Sequence, residues 1–187
     1  MKQANRIFIY GVPGSGKTTF SRHLAKQLGL PLVEADCWRK AAQKGKTKKE
    51  NPFLFAGTTE AWEEFGALSE MTSIKGLRAV RRSLHPYVLG EMQKLKETVM
   101  EAAFLDPIKL SKEGTVILLT TEDENRHKKQ YFRHWEKIMH RENFLAARFV
   151  QNYLLEEARI HGFKTIDNNG DLGIMGEKFR LRNRSLS

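Results

Sequence analysis

Cysteine is nearly absent. Cys37 is the only one in 187 residues, so no internal disulfide can form, and such usage is expected of a reducing, cytoplasmic setting. Long apolar runs are missing too. None approaches the ~20 residues that a membrane helix needs, and the apolar run after MKQANR is too short for a secretory signal. Proline is scarce, five in all, and no Pro/Ser-rich linker, repeat or low-complexity tract marks a domain boundary. The histidines (23, 85, 127, 134, 140 and 161) have no H-E-x-x-H or other metal-binding spacing. The N-K-x-D motif by which a GTPase reads its base is absent, and the one D-x-x-G, Asp167 to Gly170, follows the last expected strand, too late for a switch. Acidic residues are outnumbered, leaving a net charge of +10. That excess points to anionic partners, either phosphorylated metabolites or nucleic acid.

The chain does contain enough apolar residue, 40% against 29% charged, for one globular domain over residues 1–187. Short apolar runs read as strands at Ile7–Tyr10, Leu32–Ala35, Thr98–Met100, Val116–Thr120 and Lys164–Ile166. Helical patterns lie between them. One covers Thr18–Leu28, closed by Gly29 and Pro31. A second covers Ser69–Lys96, with Pro86 expected to break or kink it. A third fills Glu122–His161, in one piece or in two near Arg141. Strands alternating with helices imply βαβ units and a parallel sheet. Residues 40–60 read as an irregular insertion over the sheet edge, lysine-rich at 44, 46, 48 and 49 and aromatic at Phe53 and Phe55. It serves as a binding loop or as plain surface.

Gly11 to Thr18 reads G-V-P-G-S-G-K-T, the phosphate-loop pattern G-x-x-x-x-G-K-[ST]. Glycines let backbone N–H groups converge on a phosphate where a Cβ would collide. The helix that follows adds its positive N-terminal end. Lys17 carries charge to the β/γ oxygens, and the Thr18 hydroxyl is placed to ligate Mg²⁺. The strand before and the helix after complete the context. Gly11, Val12, Pro13, Gly14, Ser15, Gly16, Lys17, Thr18 and Thr19 are therefore the expected nucleotide site, on an α/β three-layer P-loop NTPase fold. That fold would have about five parallel strands, a substrate-side insertion over about 40–96 and a helical lid over about 122–141.

Of the phosphate-loop classes, a kinase fits best, since it needs an acceptor-site acid after the second strand and a basic lid later on. Asp36 follows the second strand, where strand ends face the ligand crevice. It is a candidate for accepting the acceptor's proton and for approaching Mg²⁺. A helix-capping aspartate is the plainer reading. Arg39 could fork onto an anionic acceptor. Glu101 ends the third strand and is a candidate for metal and substrate. Asp106, before Pro107, is explained by a turn. Arg78 and Arg82 share a helix face and are candidates for an acceptor's phosphate or carboxylate, or else lie on a solvated face. In T-E-D-E-N-R-H-K-K-Q-Y-F-R-H, Arg126 and Arg133 are the first choices for stabilising charge on the transferring phosphoryl. Glu122–Arg126 and Asp123–His127 also have the spacing of helix-surface pairs. Cys37 reads as a small core residue, and Trp38, Trp62 and Trp135 as core or loop anchors. The basic tail FRLRNRSLS reads as loose.

With these residues in place, the chain resembles the small P-loop kinases of the adenylate-kinase and shikimate-kinase group. Within it, the chain looks most like the kinase domain of archaeal 2-phosphoglycerate kinase. D-C-W-R after the second strand, F-x-G-T-T-E-A-W, I-K-G-L-R-A-V-R-R, T-V-M-E-A-A-F-L, E-D-E-N-R-H-K-K-Q-Y-F-R and I-D-N carry the likeness. The resemblance implies ATP as donor, Mg²⁺ as cofactor and a small anionic metabolite as acceptor, with Asn168 near the adenine. A nucleoside monophosphate or polynucleotide kinase is the alternative, and a non-catalytic ATP-binding regulator is the alternative of another class.

Overall fold

In the computed structural model, which describes residues 5–133 and 141–168, five strands form one parallel sheet. They are β1 (Arg6–Tyr10), β2 (Leu32–Glu34), β3 (Thr98–Glu101), β4 (Thr115–Thr120) and β5 (Lys164–Asp167), in the order β2-β3-β1-β4-β5. β1 is central, pairing Phe8 with Met100 of β3 and with Val116 of β4. A strand covered on both faces must be apolar on both, which is why RIFIY reads as a continuous run rather than an alternation. Ile7 and Ile9 face one core, Phe8 and Tyr10 the other.

Helices supply the two outer layers. α1 (Lys17–Leu28) covers the Ile7/Ile9 face with Phe20 and Leu24, both essentially fully buried. Burial of each contributes on the order of 2–3 kcal/mol. Gly29, left-handed at φ 65, ends α1, and the N–H groups of Gly29 and Leu30 close onto Lys26 and Ala25. α4 (Glu70–Met92) and α7 (Arg141–His161) cover the opposite face. α4 opens on a capping box in which Ser69 and Thr72 satisfy each other's backbone N–H. Between β2 and α4 lie α2 (Asp36–Gln43), α3 (Pro52–Phe55) and a 3₁₀ turn (Ala61–Phe65). α5 (Pro107–Leu110) precedes β4, and α6 (Glu124–Arg133) follows it. No helix among the described residues is long and apolar enough to cross a membrane.

Several local expectations need correction. α4 runs unbroken through Pro86 and stops at Met92. Pro86 and Arg82 lie on the exposed side, so water can satisfy the Arg82 carbonyl that loses its amide partner. The insertion is not irregular throughout, since α2 occupies its start and α3 follows the lysine turn. Asp36 follows β2 as expected and is the first residue of α2, with Ala35 at the N-cap. Cys37 is exposed, not a core residue: it lies on the outer side of α2, while the neighbouring Trp38 packs against the core. Among the described residues, the run from Glu122 carries α6 and, starting at Arg141 as in the two-piece alternative, α7. Residues 134–140, with His134, Trp135 and His140, and the tail FRLRNRSLS lie outside the described residues.

Candidate active site

The phosphate loop leaves the end of β1 and enters α1. Three of its carbonyls are held by side-chain donors from three places in the fold. Lys17 Nζ donates to Val12 O (3.0 Å), His127 Nε2 lies 2.9 Å from Pro13 O, and Asn168 Nδ2 donates to Ser15 O (3.1 Å). Gly14 has φ 79, and a Cβ there would come within 2.9 Å of the Tyr131 backbone. Gly16 caps α1 at φ 86, and its missing Cβ leaves the space that the Asn168 amide fills. Both positions therefore demand glycine on conformation and on room. The Thr19 side chain is exposed.

Lys17 is only 9% exposed. Burial lowers its pKa, opposed by the carboxylates of Glu101 and Asp36. Glu101 sits at the end of β3, beside β1, and its Oε1 accepts from the Thr18 hydroxyl at 2.7 Å. Burial raises the Glu101 pKa, opposed by Lys17 and by the Thr18 bond. The sheet register thus brings Lys17, Thr18 and Glu101, distant in sequence, to one point. Asp36 is exposed at the start of α2 and close enough for its charge to act on Lys17 and on Arg39.

Arg39 is held by the protein itself. Its Nη1 donates to Ala56 O (2.9 Å), and its guanidinium lies 5.2 Å from the centre of the Phe104 ring. Burial works against its charge, with Asp36 and Glu60 supporting it. Arg78 turns to α7. It stacks on Tyr153 at 5.2 Å and lines a cleft of about 550 Å³ with Met71, Ile74 and Tyr153. Arg82 is exposed. Arg81 between them is buried beneath Tyr10, its Nη1 donating to both carboxylate oxygens of Glu157. Lys46 bonds the Tyr87 hydroxyl and lies over its ring, whereas Lys44, Lys48 and Lys49 are exposed. Arg126 is half-buried and Arg133 is exposed at the end of α6. Asp123 caps α6, accepting from the Arg126 N–H at 2.7 Å, rather than pairing with His127 on the helix surface.

The sequence gives His127 only a helix-surface pairing and says nothing of Tyr131 and Arg148. His127 and Tyr131 are the two buried residues of α6, one turn apart, and they seat the helix on the loop. The available signal was the i,i+4 spacing of two aromatic rings in an otherwise charged helix. Asn168, expected near the base, is seated on the loop backbone.

Residues 7–113 match the AAA_33 family model, described as an AAA domain. The chain is similar in structure to shikimate kinase from Acinetobacter baumannii in complex with shikimate (TM-score 0.66, 18% identity, covering 100% of this chain and 96% of that one). It is also similar to a gluconokinase from Sinorhizobium meliloti 1021 (TM-score 0.56, 14% identity, 95% and 90% covered). A deoxyadenosine kinase from M. mycoides has a TM-score of 0.54 at 14% identity, with 96% and 99% covered. At these identities the likeness is one of fold. A shikimate kinase from Paracidovorax citrulli (strain AAC00-1) is 57% identical over 30 residues, which is 16% of this chain and 16% of that protein's length. The sheet order, the loop and a family match over more than half of the chain agree: this is a P-loop NTPase fold, and the chain belongs to the AAA_33 family of AAA domains.

Proposed function

We propose that this protein is a cytoplasmic kinase that moves the γ-phosphoryl of ATP onto a hydroxyl of a small anionic metabolite. The observation that carries the reading is the loop with its carbonyls held by side chains, next to Lys17 and the 2.7 Å Thr18–Glu101 pair. The loop from Gly11 to Thr19 holds the triphosphate, and Lys17 follows the charge on the transferring group. The hard oxygens of Thr18 and Glu101, with Asp36 nearby, suit Mg²⁺ completed by phosphate oxygens, and a bound Mg²⁺ would neutralise those oxygens. Asp36 takes the acceptor's proton, and Arg126 and Arg133 on the lid stabilise the phosphoryl charge. The insertion over about 40–96 and the lid over about 122–141 belong to one domain.

On the acceptor side, Arg39 is faced by Asp36 and Glu60, while Arg78 is turned toward α7. That balance favours a hydroxylated monocarboxylate over a multiply charged phosphate ester. The names of the fold neighbours, shikimate kinase and gluconokinase, fit such an acceptor. The order of motifs argues instead for a 2-phosphoglycerate-like compound, with Arg82 and Arg78 at its phosphate. The exposed lysines 44, 48 and 49 favour a second reading, a polynucleotide kinase. The test is acceptor-dependent ADP release over a panel of hydroxy acids, phosphorylated acids, nucleoside monophosphates and 5′-hydroxyl oligonucleotides. A hydroxy acid is expected to stimulate release, and Lys17→Ala to abolish it with the fold intact. Tight ATP binding with no stimulation by any acceptor would leave a regulator, and salt-sensitive transfer to the oligonucleotide would leave the second reading.

A further inference from the structure

His127 is fully buried on α6, between the rings of Tyr131 and Phe144. Its two nitrogens meet different partners. Nε2 lies 2.9 Å from the Pro13 carbonyl, which can only accept. Nδ1 lies 3.3 Å from Arg148 Nη1, which can only donate. The two contacts together permit one state, a neutral imidazole with its hydrogen on Nε2. Burial is the main reason the ring stays neutral, lowering its pKa to about 4. Arg148 on α7 and Lys17 on α1 act in the same direction, while Pro13 O and Glu124 on α6 oppose them. Arg148 is itself fixed, since it also donates to Thr121 O and Glu122 O, each at 3.0 Å. Gln151 of α7 grips both the N–H and the carbonyl of Thr121. A chain of contacts therefore runs from α7 through the root of α6 to the phosphate loop.

What this does to the loop follows from the planar trans peptide. The Pro13 carbonyl and the Gly14 N–H belong to one peptide unit and point in opposite directions. A donor that holds Pro13 O on the α6 side aims the Gly14 N–H the other way. The same logic applies to Asn168 on Ser15 O and the Gly16 N–H. The Ser15 N–H is taken up by Val12 O at 3.3 Å, and Pro13 has no N–H to offer. Between Pro13 and Gly16, the Gly14 and Gly16 amides are then the ones left to be aimed, and each is aimed by one distant side chain.

We propose that His127 is a positioning residue for triphosphate binding, its tautomer set by Arg148, which holds the Pro13 carbonyl outward and so turns the Gly14 N–H into the phosphate cradle. The proposal rests on the loop holding a triphosphate. It is tested by binding rather than by turnover, so a failed acceptor assay leaves it standing. The experiment measures ATP affinity by calorimetry for wild type, His127→Gln, His127→Asn and His127→Phe, with melting curves taken without nucleotide. A glutamine amide nitrogen can reach the place of Nε2, and an asparagine one cannot. Gln is expected to bind ATP within about threefold of wild type, and Asn and Phe roughly 5- to 100-fold more weakly, the range for an orphaned buried carbonyl. The Gln and Asn variants are expected to melt alike, so a purely structural role would not separate their affinities. ¹⁵N imidazole shifts are expected to show the Nε2–H tautomer at pH 7, and Arg148→Met to mix the tautomers and weaken ATP. Should Phe fail to fold, the Gln–Asn comparison decides. Equal affinity across all variants, or an Nδ1–H or doubly protonated ring at pH 7, overturns the proposal. A wild-type protein that binds no triphosphate overturns the phosphate-loop reading along with it.

Discussion

Replacing Glu157 with leucine would leave the Arg81 guanidinium buried without its counter-ion. Both side chains are 5% exposed, and Glu157 offers Arg81 Nη1 its two oxygens at 3.2 and 3.0 Å while also accepting from the Tyr153 hydroxyl at 2.6 Å. Arg81 Nε and Nη2 have no hydrogen-bond partner among the described residues, so what remains to Arg81 is the Tyr10 ring at 5.9 Å. Removing one member of such a pair costs about 3–5 kcal/mol, a large share of the roughly 5–15 kcal/mol by which a domain is stable. At about 2–4 °C per kcal/mol for a chain of this size, the melting point should fall by roughly 6–20 °C. The double variant Glu157→Leu with Arg81→Met removes both charges and both desolvation penalties, and should return to within about 1 kcal/mol of wild type. Urea titrations of the four proteins in a double-mutant cycle measure this directly. A single variant that loses less than about 1 kcal/mol, or a double variant that loses the sum of the singles, would refute the reasoning. The pair sits under Tyr10, the residue before the loop, so it braces α4 and α7 where the site is rooted.

Two further predictions concern the site. Asp36→Asn should lower turnover by about 10²- to 10⁴-fold, the usual worth of a positioned base, with ATP affinity nearly unchanged. If affinity falls and turnover per bound ATP does not, Asp36 acts on metal or structure instead. His127 also makes stability depend on pH: its pKa is 6.5 unfolded and about 4 folded, so between these values the unfolded chain holds the extra proton and stability rises with pH. About 3 kcal/mol should be lost from pH 6.5 down to 4, and urea titrations of His127→Gln over that range should show a flatter profile by this amount.

Much of the fold was legible because its signals are local. The apolar runs, the glycine at the end of α1 and the phosphate-loop spacing each arise from a few adjacent residues, and all five strands lie within a residue or two of where the periodicity puts them. Pro86 does not interrupt α4: on the exposed side water can satisfy the carbonyl that loses its amide partner, and exposure is not written in a local pattern. Cys37 misled for the same reason, since residue type gives an average burial and the turn it occupies gives the actual one.

The sequence by itself determined that a phosphate loop follows the first strand of a parallel sheet, because glycine spacing and apolar runs act over a few residues. Only the tertiary structure decided what holds that loop. His127, Arg148 and Asn168 lie more than a hundred residues downstream. His127 reaches Pro13, Arg148 reaches His127, and Asn168 reaches Ser15, because strand order places β4 beside β1 and β5 beside β4 and α7 packs on both. A histidine in a row of basic residues looks like solvated surface until the helix beneath it is docked. Burial and two directional partners then make it a neutral donor.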